Sequence, residues 1–364
     1  MNASYHTYWR GIATGSRRGP LDTLVLLFLM PWAGLYAFAL RLRAGMYKSG
    51  ILKTERLPRP VVSIGNITVG GTGKTPVTAY IARILLARGC RVAVLSRGYG
   101  GSLEGQTCVV SDGATIMLSA GECGDEPYLL AATVPGLMVV IGTDRYAAGR
   151  MAMQQLAPDV FLLDDGFQHL RLHRDLNILL QDFSRPFGNG WTLPAGILRE
   201  PLTAAGRADL VLFTRAPEGA VNNRDTGGIP RCLSSHTIVD LLPLGSHLPV
   251  PFSRCSGHSV LAFAGIADPE SFFTGLRSQG LDLVQTISFP DHVDYDRERC
   301  GEIAEAMRTS GADFMVTTEK DGVKLKGVSQ EYAARTLLAR LELTIDNPVH
   351  LNGLLDKLLQ SHEA

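Results

Sequence analysis

The chain lacks an excess of either charge, a paired-cysteine motif and an internal repeat. Its 35 lysines and arginines balance 35 aspartates and glutamates, so the formal net charge is +0. That balance gives no electrostatic footprint for nucleic acid, which basic domains hold through phosphate. Six cysteines stand at 90, 108, 123, 232, 255 and 300. None forms C-x-x-C, so neither a zinc site nor a thioredoxin-type pair is indicated, and reduced thiols of a cytosolic enzyme are expected. No repeat of solenoid period and no low-complexity tract is present. Apolar side chains, in contrast, make up 45% of 364 residues. That is enough core for one large or two ordinary domains.

Residues 61–75 read VVSIGNITVGGTGKT. A buried-strand run ends in a glycine cluster, and the cluster ends in Gly73-Lys74-Thr75. Glycines bring backbone N–H groups close to an anion, a following helix adds its positive end, and lysine adds a full charge. The threonine hydroxyl suits Mg²⁺. The usual spacing of a phosphate loop would place a glycine at Thr68; the nearest earlier glycine is Gly65, so the loop is longer or differently bent. Pro76 falls where a first helical turn tolerates a missing N–H. The alternative is a glycine-rich turn with a solvated lysine.

Leu21–Leu40 is almost wholly apolar, broken by Asp22 and Pro31, with Arg10, Arg17 and Arg18 before it and Arg41, Arg43 and Lys48 after it. As a helix it would be about 30 Å long, the thickness of a bilayer's hydrocarbon core. A secretory signal would export the phosphate loop away from cytosolic ATP. A single span would carry three arginines across, against the positive-inside tendency. A helix kinked at Pro31 and dipping into one leaflet suits both basic flanks. A buried core helix is the remaining reading, disfavoured by length. The segment is expected to anchor the protein to the cytoplasmic face.

Beyond the loop, Val77–Arg88 has helical spacing and stops at Gly89. Val92–Leu95, Leu137–Ile141, Val160–Leu163, Asn177–Gln181 and Leu210–Thr214 are short buried-strand runs. Strands alternating with helical stretches imply a parallel sheet with helices on both faces and ligands at one edge. Ala216–Arg231 is polar, and Leu241–Gly257 is rich in proline and small residues and reads as a linker. A second α/β series follows: Val260–Gly265, Pro269–Gln279 (helix), Leu283–Phe289, Arg297–Thr309 (helix) and Phe314–Thr318, then a C-terminal helix from Pro348. The expected division is 1–50, 51–240, 241–257 and 258–364.

Polar residues cluster after the strands. Asp164-Asp165 occupies the place of the second Mg²⁺ element of phosphate-loop enzymes, or an ordinary acidic turn. Gln168 and His169 extend that loop; a lone histidine is as often structural. Arg97 suits a phosphate and Tyr99 a sugar, unless both lie on an idle loop. Arg145 has the same two readings. Asp125 either caps the helical run Tyr128–Ala132 or takes a proton from a hydroxyl. His292, after Phe289-Pro290-Asp291, is either an exposed loop histidine or a proton acceptor tuned by an aspartate. Thr317–Asp321 is an ion-paired support or a polar cap.

Taken together, GNITVGGTGKTP (65–76), SRGYG (96–100), GDEP (124–127), DDGFQH (164–169), PAG (194–196), LREP (198–201), FPDH (289–292) and TTEKD (317–321) resemble the tetraacyldisaccharide 4′-kinases of bacterial lipid A synthesis. The resemblance covers nearly the whole chain. It implies a phosphate-loop NTPase-like α/β fold with a second, smaller α/β unit and an N-terminal membrane-associated helix. It implies ATP and Mg²⁺, an acylated disaccharide 1-phosphate as acceptor, no nucleic acid, and work at the cytoplasmic face of the inner membrane. The family pattern places nucleotide contacts at Thr68, Val69, Gly70, Gly71, Thr72, Gly73, Lys74 and Thr75. Metal contacts fall at Thr75, Asp164 and Asp165, with Asp165 the first choice. Lys74, Asp125 and His292 take catalytic parts, and Arg97, Tyr99, Arg145, Gln168 and His169 touch the lipid headgroup. A regulatory GTPase using the same loop, or a scaffold with a vestigial one, are the rival classes.

Overall fold

The computed structural model describes residues 3–217, 219–221, 223–246, 248–325 and 330–363. The chain forms two compact units that interleave in sequence. The first comprises Met1–Ser96, Asp144–Ser235 and Ile345–Ala364; the second comprises Arg97–Thr143 and His236–Thr344.

The first unit is built on a parallel sheet whose central strand is Val61–Asn66. That strand pairs with Val160–Asp164 on one side and Leu176–Asp182 on the other. Val92–Ser96 extends the first side, and Leu210–Thr214 followed by the start of Arg231–Pro243 extends the second. All six residues of the central strand are buried. Such unbroken apolar runs mark strands covered on both faces. The helix Lys74–Ala87 turns Val77, Ile81 and Leu85 inward at a 3.6-residue period and lies against Val61–Asn66 and Val160–Asp164.

Two helices precede this sheet, Ala3–Ala13 and Pro20–Lys48. The second runs 29 residues with Pro31 inside it, a length of about 44 Å at 1.5 Å per residue. It is not a core helix. Leu21, Phe28, Leu35 and Phe38 are each more than 60% exposed, and only Asp22, Ala33 and Ala37 along it are buried. The small pair Ala33 and Ala37 lets the unit approach the helix backbone. There Thr192 Oγ1 donates to the Ala33 carbonyl at 2.8 Å and Tyr36 Oη donates to the Arg199 carbonyl at 3.3 Å.

The second unit carries a parallel sheet in the order Asp282–Ser288, Ser259–Ala264, Phe314–Thr318, Thr336–Asp346. Alternation along Ser259–Ala264 sorts its two faces. Val260, Ala262 and Ala264 pack with Phe272, Phe273 and Leu276 of the helix Pro269–Ser278. Leu261 and Phe263 pack with Ile303 and Met307 of the helix Arg297–Ser310. Met138–Ile141 pairs antiparallel with Cys108–Asp112. The connection between those strands carries the helices Ala120–Cys123 and Asp125–Thr133. The stretch read as a linker begins inside the strand Arg231–Pro243 and contains a 3₁₀ turn, Phe252–Cys255.

Candidate functional site

In the first unit the phosphate-loop motif leads into a helix as its glycines require. Gly73 is the N-cap residue at φ +74°, and Lys74 is the first residue of Lys74–Ala87. Only glycine enters that left-handed region without penalty. The loop is braced from below. Val69 N–H donates to the Ile197 carbonyl at 2.7 Å. Thr214 Oγ1 donates to the Thr72 carbonyl at 2.9 Å, and Arg215 donates to the Gly71 carbonyl while pairing with Asp182. Thr68 Oγ1 is spent internally, accepting from Asn66 Nδ2 at 3.2 Å. The amides of Gly70, Gly71, Thr72 and Gly73 donate to no backbone carbonyl among the described residues. This leaves a row of N–H groups at a helix start, the chemistry of an anion cradle.

Lys74 Nζ lies 3.7 Å from Asp165 Oδ1. Arg199 holds both carboxylate oxygens of Asp165 from the other side, at 3.1 and 2.9 Å. Burial works to raise the Asp165 pKa, but Lys74, Arg199 and Arg145 outweigh it and hold the carboxyl below its ordinary range. Asp165 also sits at φ +55°, a strained setting for a residue with a side chain. Asp164 is buried at the strand end and accepts from Thr78 Oγ1 at 3.2 Å. The register Ile64↔Asp164 sets this acidic pair beside the strand that feeds the loop.

Gln168 and His169 follow. The Gln168 amide is engaged within the unit, donating to the Asn66 carbonyl at 2.7 Å and to buried Glu200 at 3.3 Å. Glu200 is in turn clamped by Arg207, whose guanidinium lies 4.9 Å from the centre of the Phe167 ring. His169 has its pKa lowered to about 4, by burial first and by Arg145 second, so it is neutral at pH 7. Arg145 is itself buried at the start of the helix Arg145–Gln155.

In the second unit Gly124 is the N-cap residue of Asp125–Thr133, so Asp125 is not the cap but the first helical residue. A Cβ at Gly124 would stand 2.5 Å from the Tyr99 carbonyl oxygen, and its φ is +91°. Only glycine allows this approach of the 98–101 turn to the helix start. Asp125 Oδ2 lies 3.3 Å from His292 Nδ1 and 3.1 Å from Lys324 Nζ. Lys320 Nζ is 3.2 Å from His292 Nε2 and 3.0 Å from Asp291 Oδ1. An ammonium donates and never accepts. His292 Nε2 is therefore the acceptor of that contact, and Nδ1–H donates to Asp125. Tyr99 sets its ring edge-on to His292 at 6.0 Å between centroids. Arg97 is mostly exposed and pairs with Glu104 at 3.3 Å.

The structure thus joins Lys74 to Asp165 and Asp125 to His292. Reading the sequence missed Arg199, Lys324, Arg215 and the Glu200–Arg207 pair as partners. Only LREP and TTEKD pointed to their neighbourhoods.

Comparison with known proteins follows the same lines. The family model for tetraacyldisaccharide-1-P 4′-kinase matches residues 25–360. A tetraacyldisaccharide 4′-kinase of Pelobacter propionicus is 61% identical over 360 residues, spanning 99% of this chain and 100% of that protein. One from Geobacter metallireducens is 55% identical, spanning 93% and 100%. Among solved structures, LpxK from Aquifex aeolicus, determined in complex with ATP, matches with a TM-score of 0.78 at 34% identity, over 92% of this chain and 99% of that one.

Proposed function

Because the chain belongs to the tetraacyldisaccharide-1-P 4′-kinase family, it is an ATP-dependent lipid A 4′-kinase, and we propose how its residues divide that reaction. The first unit holds the triphosphate. Residues 68–75 wrap the phosphates, those from Gly70 onward with backbone N–H groups, and Lys74 neutralises charge on the transferring group. The second unit supplies the proton acceptor. As the 4′-oxygen bonds to the γ-phosphorus, the bond from that phosphorus to the β,γ-bridging oxygen breaks and its electron pair leaves with ADP. The hydroxyl proton passes to Asp125, with His292 Nδ1–H fixing the carboxylate. Phosphoryl transfer asks for positioning and charge neutralisation above all, and a placed base adds about 10²–10⁴-fold.

The donor set fits Mg²⁺. Asp164 and Asp165 at the end of a strand and Thr75 in the first turn of Lys74–Ala87 offer hard oxygens, and Mg²⁺ takes one or two carboxylates beside substrate phosphates. When bound, the ion would neutralise phosphate charge there. Arg97 and Tyr99 in the second unit, and Arg145, Gln168 and His169 in the first, are each assigned to the headgroup. Gln168 acts there by holding the Asn66 carbonyl and Glu200 in place.

An acceptor with four acyl chains stays in the bilayer, since each CH₂ returned to water costs about 0.8 kcal/mol. The helix Pro20–Lys48, whose most apolar 18-residue window has a mean hydropathy of 1.9 and is 11% buried, brings the enzyme to that surface. We place it at the cytoplasmic face of the inner membrane, where ATP is available.

The observation that carries this reading is Lys74 at the helix start, 3.7 Å from Asp165. Purified protein given γ-labelled ATP, Mg²⁺ and a tetraacyl disaccharide 1-phosphate should transfer label to lipid. Lys74→Ala should lower kcat at least about 10²-fold, as loss of a transition-state donor does, with the fold intact. Full transfer by Lys74→Ala would contradict the role of the loop.

A further inference from the structure

Resting on the reading of Asp125 and His292 as the proton-accepting pair, the geometry points to one more residue. We propose that Lys324 is a positioning residue for phosphoryl transfer: it grips Asp125 Oδ2 and the backbone next to His292 together, leaving Asp125 Oδ1 to receive the proton.

Lys324 is 8% exposed. A buried ammonium is costly unless its charge and its three N–H groups are matched. Here the charge is matched by Asp125 Oδ2 at 3.1 Å and Asp321 Oδ1 at 4.0 Å, and an N–H donates to the Val293 carbonyl at 2.7 Å. The Tyr295 ring centre adds a π-face at 5.6 Å. Lys320 lies in the short helix Glu319–Gly322, and Lys324 follows two residues past its end. Lys320 takes Asp291 and His292; Lys324 takes Val293. All three residues of the 291–293 turn are therefore held by one lysine or the other.

The grip answers a strain. His292 stands at φ +61°, a conformation that persists only where its surroundings over-determine it. A histidine so held can present Nδ1–H to Asp125 without reorganising during the reaction. With Oδ2 shared between His292 and Lys324, Oδ1 is the carboxylate oxygen without a partner among the described residues.

The electrostatics agree. Asp125 faces His292, Lys320 and Lys324, with Asp291, Asp321 and Tyr295 around them. Burial pushes the Asp125 pKa up, but the His292 hydrogen bond and the two lysines outweigh it and lower the pKa. Removing the Lys324 charge should raise it. The ionised base would then be lost at a higher pH, and the acid limb of the kcat profile would move upward.

The test is the kcat–pH profile of the full-length enzyme with Lys324→Met, Lys324→Arg and Asp125→Asn. Lys324→Met should lower kcat about 10–100-fold, leave KM for ATP within about threefold, and move the acid limb up by about one pH unit. Lys324→Arg keeps the charge but not the compact grip, so it should lose kcat with the acid limb in place. Lys324→Met with an unmoved acid limb would overturn the proposal. So would wild-type kcat in Lys324→Arg, which serves alone should the methionine variant fail to fold. An active Asp125→Asn would instead sink the base assignment beneath it.

Discussion

At the scale of single residues, the proposed chemistry rests on two paired groups. Asp165 is held ionised by Lys74 and Arg199, and Asp125 by His292 and two lysines. A carboxyl with a depressed pKa contributes its stabilisation above the unfolded value and loses it as pH falls through the folded value. Both pairs therefore persist at neutral pH and fail only in acid. If Asp125 and His292 act as one unit, Asp125→Ala and His292→Ala should each lower kcat by about 10²–10⁴-fold. The double variant should be no slower than the worse single, because groups acting together are non-additive. Steady-state kinetics check this; multiplicative losses would separate the two residues. Lys74, Asp125 and His292 were legible because each follows a strand end or a glycine turn. The partners of Arg199 and Lys324 were not, because they lie 34 and 199 residues away.

At the scale of elements, hydrophobic periodicity carried most of the fold. The expected runs at 210–214 and 314–318 coincide with observed strands, and the others differ by a residue or two at their ends. Cys108–Asp112 and Thr336–Asp346 escaped for physical reasons. The first is short and half-buried, with a burial pattern of an edge strand. The second carries Arg340 and Glu342 on exposed positions, and its apolar character reads as neither clean alternation nor a continuous run. The helix Pro20–Lys48 was the plainest element, since no soluble core needs 29 such residues. Leu24, Phe28 and Phe38 are 63%, 72% and 62% exposed, and burying each in lipid contributes about 1.5–3 kcal/mol. Substituting all three by Asp should move the protein from the membrane pellet to the supernatant. Thermal unfolding should change little, because these side chains are mostly exposed. Undiminished pelleting would contradict the anchoring role.

At the scale of the whole molecule, the proposed labour is divided between two α/β units. One offers a glycine-lysine loop at a helix start beside two aspartates; the other offers an aspartate–histidine pair locked by lysines. The interleaving of the units had no sign in composition, because the chain passes between them at the end of Val92–Ser96, just before Arg145–Gln155, and within the strands Arg231–Pro243 and Thr336–Asp346. The central claim is that the triphosphate docks on the first unit's loop. A crystal grown with a non-hydrolysable ATP analogue tests it most directly. The β- and γ-phosphates should lie against the amides of residues 70–75 with Lys74 Nζ in contact. Density for the phosphates at any other place on the protein, with the loop bare, would contradict the account.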